Sequence, residues 1–231
     1  MDDVDRGRPH RCLLAPSARA AAAVLALSAA ALTAWLGVRN SRAQGTVGIN
    51  RLVWRQLEPI ARWHRSVMVV VADAVGVVIP ILVAVAVVGA WWMRGRRAEA
   101  VLLAVAPALA SVLVRFVLKP VTENSVGWLP HYPSGHTTAS ATVAMGLGLC
   151  LVRWRWRPWW LMTILVLWPL AVGVLVTGLR MHWATDVIGA LGFSTATVIV
   201  VAAAVDGVRD ALVHRPPARR ANAGAARGPE R

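Results

Sequence analysis

The chain has 231 residues, 57% of them hydrophobic, a mean hydropathy of +0.56 and a net charge of +14. Soluble domains hold about 45–50% apolar residues, and several runs here reach the ~18–20 apolar residues that cross a bilayer, so an ordinary soluble fold is excluded. The 25 basic residues against 11 acidic ones would suggest nucleic acid in a soluble protein. Here they gather at the ends of apolar runs, which fits membrane topology and anionic headgroups, so membrane lipids are the expected partners and nucleic acid is not.

Residues 1–17 are polar and mixed in charge and read as a cytoplasmic tail. The first apolar run, 18–38, is longer than a signal-peptide core and reads as a retained helix, although "SRAQG" at 41–45 resembles a cleavage region. In 39–65, Arg51, Arg55 and Arg62 alternate with Leu52, Val53, Trp54, Leu57 and Ile60, which predicts an amphipathic helix on the membrane surface. The remaining spans are expected at about 66–92, 99–118, 138–152, 159–177 and 187–205, and the basic stretch 206–231 is expected to be a disordered cytoplasmic tail. The fold class is therefore all-α: a six-helix transmembrane bundle over 18–205, with an interfacial helix after the first span. A β-barrel would require alternating residues, and "VGVVIPILVAVAVVGAWW" does not alternate.

Six spans put both termini on one side. That side collects 16 basic residues against 8 on the other, so both termini are expected in the cytoplasm. Segments 119–137 and 178–186 then share the extracytoplasmic face, and most of the unusual polar residues of the second half lie there.

Lys119 is the one lysine among 25 basic residues, at the end of a span, as either a snorkelling cation or a point charge for phosphate. "PSGH" at 133–136 places a turn before an apolar run; free N–H groups at a helix start bind anions, and Ser134 adds a hydroxyl, or acts as a helix cap. His136 is left unexplained by a cap alone. His182 and Asp186 are four apart and share a helix face, so the carboxylate can orient the imidazole. Two histidines, a carboxylate, cations and a helix N-terminus suit phosphoryl transfer through a phosphohistidine, with one His attacking and the other protonating the leaving oxygen. No metal-ligand set is evident and this chemistry needs neither metal nor cofactor; Cys12 and Cys150 are too far apart in sequence and setting to suggest a disulfide.

These residues resemble the type-2 phosphatidic acid phosphatase superfamily, whose motifs are Lys-x6-Arg-Pro, Pro-Ser-Gly-His and Ser-Arg-x5-His-x3-Asp. The second is complete at 133–136, the third keeps "HWATD" at 182–186, and the first keeps Lys119, over roughly 100–200. The resemblance implies His182 as nucleophile, Asp186 as its orienting carboxylate, His136 as general acid, and Lys119, Ser134 and Gly135 as phosphate ligands. It departs at Val126–Gly127, where the family has Arg-Pro, and at Leu175–Val176, where it has Ser-Arg. Arg180 is the candidate to replace one missing cation, with Arg115, Asn124 and His131 as secondary candidates. Asp73 and Arg115, both inside spans, are expected either to pair or, for Arg115, to reach the phosphate site. The expected activity is an integral membrane lipid phosphate phosphatase, the alternative an inactive lipid-phosphate-binding relative.

Overall fold

The computed structural model describes residues 12–43, 48–62, 65–122, 125–126, 129–130, 132–152 and 158–213. Almost all of this is helix, as apolar surroundings require when no water is present to satisfy backbone groups. The helices are α1 (Arg19–Ala43), α2 (Gly48–Arg62), α3 (Arg65–Asp73), α4 (Ile79–Met93), α5 (Arg97–Leu113), α6 (Lys119–Thr122), α7 (Gly135–Leu151), α8 (Trp159–Gly178) and α9 (Ala184–Val213). A two-residue antiparallel ladder pairs Ser125–Val126 with Leu129–Pro130.

Among the described residues, five segments are long and apolar enough to cross a membrane: Pro16–Ser41, Arg65–Met93, Arg97–Thr122, Trp159–Gly178 and Ala184–Leu212. The segment expected as the fourth span is α7, which has 17 residues and a length of about 26 Å. It is sheathed by α5, α8 and α9. Its buried Thr138, Ser140 and Thr142 return their hydroxyls to carbonyls four residues back, at 2.7–3.0 Å, so they carry no unsatisfied polar group into the core. Lipid-facing positions elsewhere keep large apolar side chains exposed, among them Leu27, Leu82, Val85 and Val166. The packed seams use small residues such as Ala72, Ala106, Ala110, Ala141 and Ala190.

Two helices contain a π-helical turn, Ala74–Val78 between α3 and α4 and Val114–Leu118 between α5 and α6. Each turn ends two residues before a proline, Pro80 or Pro120, which has no N–H to continue the ladder. In the first turn the Ile79 N–H bonds to Ala74, so the Val75 carbonyl has no helical donor. The indole Nε1–H of Trp168 on α8 takes it at 2.9 Å. Such a bond contributes about 1 kcal/mol net and ties this wide turn to α8.

The ends of several elements differ from the sequence expectation. Leu13 and Leu14 are buried, and their N–H groups donate to the Asp206 carboxylate at 2.7 and 2.8 Å, so the segment before α1 is part of the packed body. Helix α9 runs to Val213, past the expected start of a disordered tail at 206. Helix α2 turns one face onto α8 and α9, with Asn50 fully buried and Arg51 and Arg55 outward. Part of its apolar surface thus packs on the bundle, while Ile49 and Leu52 stay exposed. These contacts divide the molecule into two poles. Leu13, the Arg94–Arg96 turn and Asp206 lie at one; Asn40, the Pro-Ser-Gly-His turn and the α8–α9 connection lie at the other.

Candidate functional site

His136 is the second residue of α7. Ser134 is the N-cap, its Oγ accepting the Thr137 N–H at 3.4 Å, and its own N–H donates to the Asp186 carbonyl at 3.2 Å. The turn is thereby fastened to the start of α9. Tyr132 fastens it a second time: its ring lies between Gly37 on α1 and Gly189 on α9, and its hydroxyl donates to the Thr33 carbonyl. A side chain at Gly189 would occupy the space of the phenol. The Tyr132–Pro133 peptide is cis. Burial, then the negative charge of Asp186, pushes the Tyr132 phenol above its ordinary range.

His182 is placed by the end of α8. Arg180 N–H donates to Thr177 O at 3.1 Å and Met181 N–H to Val176 O at 2.9 Å, the paired bonds of a Schellman cap. The residue at the turn's left-handed position is usually Gly, but here it is Arg180, at φ 59°. His182 N–H also donates to Val176 O, at 3.2 Å, so the cap presents His182 immediately before α9.

Asp186 occupies the first turn of α9, where a negative charge is favoured by the helix N-terminus. It is fully buried. Its Oδ2 accepts the Trp183 N–H at 2.9 Å and lies 3.5 Å from His182 Nδ1; its Oδ1 accepts Asn40 Nδ2 at 3.2 Å. Asn40 also donates to Thr185 Oγ1 at 2.8 Å. Asn50 clasps Thr185 from both sides, donating to Oγ1 at 3.0 Å and accepting its N–H at 3.1 Å. Asn40, Asn50 and Thr185 are buried polar supports that the sequence reading missed. The available signal was a buried-type amide at the end of one apolar run and another within a basic helix.

The rings of His136 and His182 stand 6.1 Å apart between centroids, 66° from coplanar. Behind His136, its Nε2 lies 2.7 Å from Asp73 Oδ1. Asp73 thus pairs with His136, and the expected Asp73–Arg115 pair is corrected. The reason is rotation at the π turns: Asp73 ends α3 and is turned towards α7, while Arg115 is exposed with its guanidinium 5.9 Å from the Phe116 ring. Lys119 is part-buried and within electrostatic reach of Asp186 and Arg115.

Arg180, the candidate replacement cation, is exposed and its guanidinium stacks 3.6 Å over the Trp54 ring of α2. Its visible engagement is with α2. Val176, at the position of the absent family arginine, is fully buried among Ala72, Val172 and Leu179. Gly135 opens α7, and Ser134 is buried in its capping role. Asn124 and His131 lie outside the described residues.

The pole thus carries two imidazoles face to edge, each backed by a carboxylate, at the mouth of a helix N-terminus in a helical membrane bundle. Residues 118–209 match the PAP2 superfamily model, in agreement with the motif resemblance. No curated protein and no solved structure matches the chain.

Proposed function

We propose that the protein is an integral membrane phosphatase that hydrolyses a phosphomonoester or diphosphate carried on a lipid, with its site at the extracytoplasmic face. The observation that carries this reading is the 6.1 Å separation of the His136 and His182 rings, with Asp186 behind the second. Reacting atoms must approach to about 3–3.5 Å, and one phosphorus between two rings this close meets both. The sidedness follows the count along the sequence, where the segments expected in the cytoplasm carry more basic residues than those expected outside.

In this reading His182 attacks through Nε2, since Asp186 lies on the Nδ1 side, 3.5 Å away. The N–P bond forms as the bond from phosphorus to the lipid oxygen breaks, and His136 gives its proton to that oxygen. Water then attacks phosphorus and returns a proton to His136. The N–P bond breaks and inorganic phosphate leaves. The α7 N-terminus and Lys119 hold the phosphoryl oxygens, and no metal is required.

A second reading is a lipid-phosphate-binding protein without turnover. It draws on buried Val176 where the family carries arginine, and on the engagement of Arg180 with Trp54. Phosphate release from a short-chain phosphatidate or a polyprenyl diphosphate by the purified protein decides between them. Release by wild type and none by His182→Ala supports the phosphatase. Equal release by both rejects it, and no release by wild type together with vesicle binding supports the second reading.

A further inference from the structure

We propose that Asp73 is a positioning residue for His136, holding its imidazole so that the other ring nitrogen exchanges the proton with the leaving group. This rests on the phosphatase reading above. Three observations carry it. The Asp73 carboxylate lies 2.7 Å from His136 Nε2, closer than Asp186 lies to His182 Nδ1 at 3.5 Å. Gly76, three residues on, packs against the same side chain so closely that a Cβ there would stand 2.9 Å from His136 Cβ. Both residues flank or lie in the Ala74–Val78 π turn, and Trp168 locks that turn by taking the Val75 carbonyl. The α3–α4 rod thus supplies a carboxylate and a flat backbone surface to one imidazole, from 63 residues away.

The chemistry follows from the ring. With Nε2–H donated to Asp73, the neutral tautomer presents Nδ1 as acceptor, and the imidazolium presents Nδ1–H as acid. Asp73 neutralises the imidazolium charge whenever His136 is protonated. The two histidines then meet their carboxylates through opposite nitrogens: His136 Nε2 lies 2.7 Å from Asp73 and His182 Nδ1 lies 3.5 Å from Asp186. The arrangement sorts acid from nucleophile.

A positioned acid matters only when the leaving oxygen needs a proton. The test therefore compares kcat/KM on dioctanoyl phosphatidate, whose alkoxide leaves poorly, with kcat/KM on p-nitrophenyl phosphate, whose phenolate leaves unaided. General acid catalysis contributes about 10²–10⁴-fold. Asp73→Asn is expected to lose about ten- to a hundredfold on the phosphatidate and less than about threefold on the aryl ester, and Asp73→Glu to recover part of the loss. Gly76→Ala, which displaces the same imidazole through a separate contact, is expected to show the same selective loss and decides the matter if Asp73→Asn does not fold. Equal losses on both substrates, or none on either, overturn the proposal while leaving the phosphatase reading intact. Wild-type rates no greater than those of His182→Ala overturn the phosphatase reading instead.

Discussion

Replacing Asn40 with Leu removes the donor that α1 gives to Asp186 and changes little in volume. The carboxylate is fully buried, so its Oδ1 gains no water when the 3.2 Å bond from Asn40 Nδ2 is lost. A hydrogen bond to a charged group contributes about 1.5–3 kcal/mol. At 3.2 Å this one is longer than the usual ~2.7–2.9 Å of charge-assisted bonds, which argues for the lower half of that range. Thr185 loses its 2.8 Å bond with Asn40 but keeps two with Asn50, one accepted and one donated, so its share is small. About 1.5–2 kcal/mol, at 1.36 kcal/mol per decade, corresponds to a roughly ten- to thirtyfold fall in kcat/KM if the loss falls on the transition state. The assay is phosphate release from dioctanoyl phosphatidate in detergent micelles, with a thermal melt on the same sample. Asn50→Leu is the comparator: it loosens α2 and Thr185 while Asn40 still holds Asp186, so stability should fall more than rate. A folded Asn40→Leu protein with kcat/KM within about twofold of wild type would refute the support assigned to α1.

Gly189→Ala puts a methyl into the Tyr132 phenol and should destabilise the bundle by about 1–3 kcal/mol, read as a lower melting temperature. An unchanged melt would show that Tyr132 does not pin the turn. Arg180→Gly relieves a left-handed backbone, a cost of about 1–2 kcal/mol, but removes the stack on Trp54, worth about 0.5–1 kcal/mol at an exposed site, so the melt should hold or rise slightly. A marked fall would mean that Arg180 does more than contact α2. Tyr132 is the chain's one tyrosine, so phenolate absorbance reports it alone. Its native pKa is raised by burial and by Asp186, so its contribution to stability is complete below the unfolded value of about 10 and is lost as pH rises through the higher folded value. Native protein should show no phenolate at a pH where the denatured chain has already titrated, and coincident titrations would refute the burial argument.

Much of the pole was legible in sequence because its groups sit in short local patterns. His182 and Asp186 are one helical turn apart, and Pro-Ser-Gly-His is contiguous. Spans were legible for the same reason: an apolar run is a local property. The supports were not, because they cross the fold. Asn40 reaches Asp186 over 146 positions, Asn50 reaches Thr185 over 135, and Asp73 reaches His136 over 63. Even the failed Asp73–Arg115 pairing was a question of helical phase, which two π turns shift by a residue that hydrophobicity alone does not reveal. Pro80 and Pro120 were the visible trace of those turns. Arg180 is two residues before His182 in sequence, but its contact with Trp54 of α2, made from a left-handed cap, crosses the fold and was not legible.

The clasp between Leu13, Leu14 and Asp206 joins the beginning of the bundle to its final helix, and α1 lies along α9 for much of its length. Helix α1 therefore waits for α9 before it finds its berth. Until α9 arrives, Asn40 has no carboxylate to hold and His182 stands without Asp186. A nascent chain stopped short of α9 would carry both histidines without the carboxylate that stands beside the second.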